Sequence, residues 1–317
     1  MDPRIATITD DVRALTAIRR IPGLADLVGQ AAEGAPRAWL LPGVIGATCA
    51  TPLPAQRAAA AALACFQLSV VLVDDLLDAD PRGAQHRIGV GAAANLALAL
   101  QAAACEALLA LPDHASGLRA AAALTEATAR VAHGQHLDAQ SARNENDYWR
   151  VTAEKSGAFF ALAFALGAWC GPAPEPTCAA AAALGAVYGD LIQIHDDLRD
   201  SLATPAAPDW REDRASLPIL FASQVAHPER DRFLRLRGEI ARQGQGAERA
   251  LLEAQHILQT SGAVAFGLDQ ILQRAEAAQP LLAAFGASDG VRALFAEIVA
   301  PVEALLNPPK EQVGFPA

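Results

Sequence analysis

Long Ala/Leu-rich runs, broken at short intervals by proline and glycine, constrain this 317-residue chain more than any other feature. Ala and Leu give up little side-chain freedom in a helix, whereas the β-branched and aromatic residues that favour strands are sparse, with aromatics at 5%. The interruptions fall at Pro22, Pro36, Pro52 with Pro54, Pro81 with Gly83, Pro112, the Pro172-Pro174-Pro176 cluster, Pro205 with Pro208, Pro228, and Pro308 with Pro309. Each proline removes a backbone donor and fixes φ, so it ends a helix or starts one. No segment keeps a period-two alternation, and the connections are short for a two-part chain. The expectation is one all-α domain over residues 1–317, a helical bundle of about ten or more helices. The stretch from Ser201 to Ala215, with Pro205, Pro208, Asp209 and Trp210, is the one extended irregular segment.

The chain carries 25 basic and 35 acidic residues, a net charge of −10. Such a balance opposes nonspecific attachment to nucleic acid or to anionic lipid, so no nucleic-acid partner is expected. Cys49, Cys65, Cys105, Cys170 and Cys178 lie apart in Ala-rich stretches, with no CxxC pair and no histidine at ligand spacing. They read as reduced core residues of a cytoplasmic protein. The first twenty residues mix acids with bases and lack a continuous apolar run, so no secretory signal is expected. The most apolar run, Ala58 to Val73, contains Gln67 and Ser69 and stops at Asp74 and Asp75. It falls short of the roughly 20 apolar residues that a bilayer helix needs, so no transmembrane segment is expected.

Where, then, do the acids sit? Two segments repeat one pattern: Val73-Asp74-Asp75-Leu76-Leu77-Asp78 and His195-Asp196-Asp197-Leu198-Arg199-Asp200. Each closes an apolar helical run and precedes a proline-containing loop. On a helix the first and third aspartates are i,i+4 neighbours and the second and third are i,i+3, so three carboxylates gather at one helix end. That end already carries partial negative charge, and like charges at this spacing cost roughly 0.2–0.5 kcal/mol per pair. Six carboxylates placed so need a counter-charge, and a hard divalent cation supplies it. Mg²⁺ is the natural choice, because it takes oxygen ligands and is commonly held by a few carboxylates together with substrate phosphates.

With these motifs the sequence resembles the trans-isoprenyl diphosphate synthase (polyprenyl synthetase) family, whose two aspartate-rich motifs they match. The resemblance extends to Gly134-Gln135-His136-Leu137-Asp138, similar to a GQxxD helix, and to Lys155-Ser156-Gly157-Ala158-Phe159-Phe160, similar to a K-T/S-G-x-L-F segment. Arg214-Ala215-Ser216-Leu217-Pro218 resembles K-x-T-L-P, and Ser261-Gly262-Ala263 opens a C-terminal helix as in the family. The match runs from about residue 30 to 305 in the family's order.

The resemblance implies an isoprenoid-synthase helical bundle with a central cavity, working as a homodimer. It also implies a Mg²⁺-dependent prenyltransferase that condenses an allylic isoprenoid diphosphate with isopentenyl diphosphate into a longer trans-polyprenyl diphosphate. Carried over by motif, Asp74, Asp75, Asp78, Asp196, Asp197 and Asp200 hold the metals. Arg82, Lys155 and Arg214 bind the diphosphate, with Ser156 and Gln193 in support, and Asp74, Asp75, Asp78, Lys155, Asp196 and Asp197 form the catalytic set. Helix spacing independently puts Gln193 on the face of Asp196 and Asp197. Beside the aspartates, His195 reads as a hydrogen-bonded structural residue, and His86, His114 and His136 receive no role.

The apolar face before Asp74 and the run Phe159 to Phe164 are expected to wall the prenyl tail. In the family the residues four and five positions before the first aspartate limit chain length, and here they are Val70 and Ser69. Neither is aromatic, so Phe66, one turn deeper, becomes the expected floor, and a product of geranylgeranyl length or somewhat longer follows.

The isopentenyl half departs from the family. Where a GGKxxRP segment is usual the chain has Glu33-Gly34-Ala35-Pro36-Arg37-Ala38, so Arg37 is left to stand in; after the first motif it has Asp80-Pro81-Arg82-Gly83, with one arginine instead of two. Gln67 looks like the glutamine that farnesyl diphosphate synthases place near that substrate, and Arg87 lies within reach of the same loop. Lost cations matter because charge-assisted contacts are the strong ones and a diphosphate is not buried unpaired. A second reading therefore stays open, in which the allylic cation goes to an internal double bond, as in a class I terpene cyclase, or to a non-isopentenyl acceptor. A third, a silent partner subunit, fits poorly with intact aspartates.

Overall fold

The computed structural model describes residues 2–78, 80–140, 142–211, 216–244 and 246–306. Among them every regular element is helical. Helix α1 (Pro3–Ala14) starts under a cap in which Asp2 accepts from the backbone N–H of Arg4 at 2.8 Å. After it come α2 (Thr16–Arg19), α3 (Leu24–Glu33), a 3₁₀ turn (Arg37–Leu40) and α4 (Leu41–Thr48). Pro54 in its first turn sets the direction of α5 (Leu53–Leu77), and Asp78 caps its other end. The chain then forms α6 (Gln85–Ile88), α7 (Val90–Leu109) and α8 (His114–Asp138), the last capped by Asp113. Asn144 caps α9 (Glu145–Thr152), and a π-turn over Ala153–Gly157 leads into α10 (Ala158–Trp169). Pro176 lies in the first turn of α11 (Glu175–Ser201), the longest helix among the described residues. The remainder is α12 (Pro208–Arg211), α13 (Leu217–Gln224), α14 (Arg230–Ala241), α15 (Ala247–Thr260), α16 (Ala263–Phe285) and α17 (Asp289–Leu306).

Small side chains decide how the helices meet. Ala59, Ala60, Ala61, Ala62 and Ala64 of α5 are buried, as are Ala93, Ala97, Ala103 and Ala104 of the α7 helix packed against it. With methyl groups at the seam the backbones approach closely, and larger residues such as Leu63, Phe66 and Leu100 fill the remaining space. Each large side chain so buried contributes roughly 1.5–3 kcal/mol. On the other side α11 packs on α10 and α16, and α10 packs on α4 and α8. A second core, with Trp210, Phe233, Leu236, Ile240 and Leu258, is built by α12 to α15. Hydropathy along the sequence does not separate this cluster from the main core, because both use the same Ala/Leu vocabulary.

The apolar run ending at Asp74 is longer in the fold than in the sequence reading. It forms part of the 25-residue α5, and α5, α7 and α11 are each long and apolar enough to cross a membrane by length and composition. In α7 only 39% of the most apolar window is buried inside the protein. Leu53 to Arg57 before the Ala58–Val73 run and Asp74 to Leu77 after it continue the same helix, which is why it exceeds the run itself.

Candidate active site

Both aspartate-rich ends open on one cavity of about 280 Å³. Asp74 and Asp78 line it from the end of α5, and Asp196, Asp197 and Asp200 line it from the end of α11. Asp75 does not. A helix turns about 100° per residue, so the face shared by Asp74 and Asp78 leaves Asp75 to one side. There its backbone carbonyl accepts from Gln85 Nε2 at 3.0 Å. Burial, and then the neighbouring Asp80 and Asp74 carboxylates, raise the Asp75 carboxyl above its ordinary value.

Lys155 is the cation between these acids, and its placement depends on a local irregularity. The π-turn widens the backbone at Ala153–Gly157, a feature found often at functional sites. Two glycines make room for it: a Cβ on Gly134 would lie 2.7 Å from the Lys155 backbone nitrogen, and one on Gly189 would lie 2.6 Å from the Ser156 carbonyl. The turn thus nests between α8 and α11. From it Lys155 Nζ donates to Asp138 Oδ2 at 2.9 Å and to Asp74 Oδ1 at 3.2 Å. Burial pushes this ammonium down, but Asp138 and Asp74 more than offset it, so the group stays charged and its pKa is raised. Gln135 Nε2 also donates to Asp74 Oδ1, fixing that carboxylate from α8.

The second motif is held differently. Asp197 is buried, with Oδ1 accepting from Gln193 Nε2 at 2.8 Å and Oδ2 accepting from the backbone N–H of Leu217 at 2.8 Å. Ser156 Oγ donates to Gln193 Oε1 at 2.5 Å, so the π-turn and α11 share one hydrogen-bond line. Burial is the main reason that the Asp197 carboxyl is pushed up to about 7. Arg199 neutralises part of the rest, reaching Asp196 Oδ1 and Asp200 Oδ1 at 3.0 Å each. His195 Nδ1 stands 3.5 Å from Asp196 Oδ1 and is half exposed.

Several residues without a site role in the sequence analysis belong to this cavity. Asp138, Asp80, Asp209 and Tyr148 all line it. The sequence did carry a signal for Asp138, the last residue of Gly134-Gln135-His136-Leu137-Asp138, although the pattern alone does not say that it would hold Lys155. Arg82 lines the cavity as foreseen, with its guanidinium largely exposed and paired to Asp80 Oδ2 at 2.8 Å. Arg214 lies outside the described residues.

Of the residues foreseen for isopentenyl diphosphate, Arg37, Arg87 and Gln67 do not join this cavity. Arg37 pairs with Glu297 Oε2 of α17 at 2.6 Å, and both line a separate cavity of about 590 Å³ with His195, Phe160 and Tyr188. Arg87 donates to Gln30 Oε1 at 2.8 Å. Gln67 is half-buried, and its Oε1 accepts no hydrogen bond. Of the foreseen tail wall, Phe66 is fully buried and stacks on Phe159 at 5.7 Å. Ser69 Oγ accepts from Gln101 Nε2 at 2.6 Å, and Val70 is half-buried.

The donors around the cavity are almost all carboxylate oxygens, without thiol or imidazole among its lining residues. Such a set suits a hard cation and not a soft one. Among the described residues no three of these side chains already converge as a closed metal cage. An ion that completes its shell with substrate oxygens needs no such cage.

Residues 39–254 match the family profile described as polyprenyl synthetase. None of the curated proteins compared with the chain matches it. Among solved structures, a decaprenyl diphosphate synthase from Rhodobacter capsulatus aligns with a TM-score of 0.79 at 20% identity, over 94% of this chain and 95% of that one. A polyprenyl synthetase from Streptomyces coelicolor A3(2) aligns with a TM-score of 0.80 at 23% identity, over 95% and 98%. A polyprenyl synthase from Caulobacter crescentus CB15, complexed with calcium and isoprenyl diphosphate, gives 0.76 at 22% identity, over 94% and 93%.

Proposed function

The chain belongs to the polyprenyl synthetase family and is a prenyltransferase, and from that premise we propose that it condenses an allylic isoprenoid diphosphate with isopentenyl diphosphate in a Mg²⁺-dependent reaction. The observation that carries this reading is the single acidic cavity into which the ends of α5 and α11 both deliver aspartates, with Lys155 between them. Asp74, Asp78, Asp196, Asp197 and Asp200, with Asp75 at the margin, would hold the metal. Bound there, Mg²⁺ supplies Lewis acidity that stabilises the departing pyrophosphate.

The remaining work falls to the protein's own side chains. An ammonium has three donors, and Lys155 spends two on Asp138 and Asp74. The third is left for a diphosphate oxygen, and Asp138 keeps the side chain aimed while that contact forms. Arg82 lies at the exposed lip, where Asp80 orients its guanidinium toward an incoming anion. Arg214, by motif, adds a further cation. Gln193 ties Ser156 to Asp197, so the turn that carries Lys155 and the helix that carries the second motif hold one geometry. With Phe66 as the floor and Phe159 stacked on it in the wall, the product is of geranylgeranyl length or somewhat longer. The whole chain acts as one helical unit.

The family resemblance adds a cytoplasmic homodimer. Exposed apolar residues on α7, Val90, Leu98 and Leu109, support a second copy packing on that face.

A second reading is favoured by one specific observation: Arg37 is engaged with Glu297 and Gln67 lies off the acidic cavity. In it the allylic cation passes to an internal double bond or to a non-isopentenyl acceptor. One experiment separates the two. Purified protein and Mg²⁺ are incubated with geranyl, farnesyl or geranylgeranyl diphosphate, with and without labelled isopentenyl diphosphate, and pyrophosphate and product mass are followed together. Longer, labelled diphosphates support elongation; pyrophosphate without label in the product supports the second reading; no pyrophosphate with any substrate rejects both.

A further inference from the structure

We infer that Tyr148 is a positioning residue for Asp197, its phenol hydroxyl acting as the carboxylate's third hydrogen-bond donor when the acidic cavity is loaded. The inference rests on the proposed function, since it concerns the same diphosphate and metal site. Tyr148 lies on α9, lines the cavity and is 5% exposed. Asp197 and Thr152 line the same cavity, and the buried hydroxyl has no hydrogen-bond partner. A buried donor left unpaired costs about 1–3 kcal/mol and calls for an explanation.

Asp197 has capacity for it. An ionised carboxylate accepts at about four sites, and Asp197 uses one on each oxygen, for Gln193 and for Leu217. The ring, meanwhile, is fixed from behind. Trp149 meets Tyr148 edge-on at 4.9 Å, and the Arg274 guanidinium covers the Trp149 ring at 4.1 Å. Arg274 in turn reaches Asp190 of α11 at 3.3 Å. Asp190 and Asp197 belong to the same helix, so α11 both carries the carboxylate and anchors the ring that shares its cavity. Such a hold suits a residue that acts through Asp197. A group behind a metal-binding carboxylate sets its orientation, and losing one typically costs 10-fold or more in metal affinity.

The test is Tyr148→Phe, which keeps the ring and removes only the hydroxyl. Mn²⁺ uptake in the presence of inorganic pyrophosphate is measured by calorimetry for the folded variant and for the wild type. The expected result is about tenfold weaker Mn²⁺ binding with an unchanged or higher melting temperature. In an Asp197→Ala background the same change should cost nothing further, because the acceptor of the bond is gone; an equal cost in both backgrounds overturns the inference, as does wild-type affinity in the single variant. Thr152→Val is the second variant, removing the hydroxyl that Thr152 brings to the cavity. It should leave Mn²⁺ affinity unchanged or tighter, and a tenfold loss counts against the assignment. If the wild type takes up no Mn²⁺ with pyrophosphate, the proposed function fails first and the role of Tyr148 with it.

Discussion

The end of α5 and the end of α11 carry the same Asp-Asp-Leu-x-Asp pattern, and the fold treats them differently. On α5 the first aspartate is tied to Gln135 and Lys155 and the second is turned off the cavity. On α11 the first and third share Arg199, and the second is buried under the start of α13 with two donors on it. The shared sequence sets where carboxylates cluster; the neighbours decide which of them is fixed beforehand. The α11 end has its middle carboxylate buried and fixed by donors from α11 and α13, whereas the α5 end is held at its first carboxylate by Lys155 and Gln135.

The largest effect should come from removing a leading carboxylate at either end. Asp74→Ala and Asp196→Ala are each expected to lower Mg²⁺-dependent pyrophosphate release by about a thousandfold or more, since electrostatic stabilisation of the leaving group supplies most of the rate. Their stabilities should diverge. Asp196→Ala relieves like-charge repulsion in an exposed position, and its metal-free melting temperature should hold or rise slightly. Asp74→Ala strips Lys155 of one of two partners, so it should be the less stable of the two. Normal turnover in either variant defeats the metal assignment. Equal melting temperatures show that the two ends are not as different as their contacts suggest.

A smaller, pH-linked effect separates the middle aspartates. The Asp197 carboxyl is raised to about 7 from an ordinary 3.8, mainly by burial. Between those values the unfolded chain is ionised while the folded chain stays protonated, so the native state binds more protons. Stability therefore falls as pH rises from about 4 toward 7. Asp197→Asn should remove that fall and gain about 1–3 kcal/mol over the metal-free wild type at pH 7, read by urea denaturation at several pH values. Asp75→Asn should shift the profile in the same direction by less, as that group is less deeply placed. If the asparagine at position 197 leaves the profile unchanged, the buried end is not the pH-sensitive one.

Much of this was legible in the chain itself, and the failures have a common cause. Helix class, the two acidic ends, Lys155 with Ser156, and Gln193 all follow from composition, spacing or motif. Spacing along one helix does not say which neighbour it meets, and that is where the reading ran out. Asp75 and Asp197 occupy the same place in their motifs, but one meets Gln85 at the start of α6 and the other meets Leu217 on a helix twenty residues on. Arg37 found Glu297, 260 residues away, where a substrate contact was foreseen. Tyr148 carries no motif of its own; its setting is made by Trp149, Arg274 and Asp190 from three different helices.

The smallest effect concerns Arg199, and it has a sign that tests the comparison directly. Arg199 is 62% exposed and bridges Asp196 and Asp200, so as a surface ion pair it contributes about 0–1 kcal/mol to stability. Arg199→Gln should leave the melting temperature nearly unchanged. It frees two carboxylates of a competing cation, however, and Mg²⁺ binding with pyrophosphate should tighten by about two- to fivefold, more at low ionic strength than at high. Lys155→Gln should do the reverse, because that ammonium is partly buried and serves the diphosphate as well as the aspartates. Opposite signs for the two cations would mean that α11 carries a dispensable internal counter-ion and α5 an essential shared one. Weaker binding in both would mean that Arg199 also contacts the anion, and the two ends would then use their cations alike.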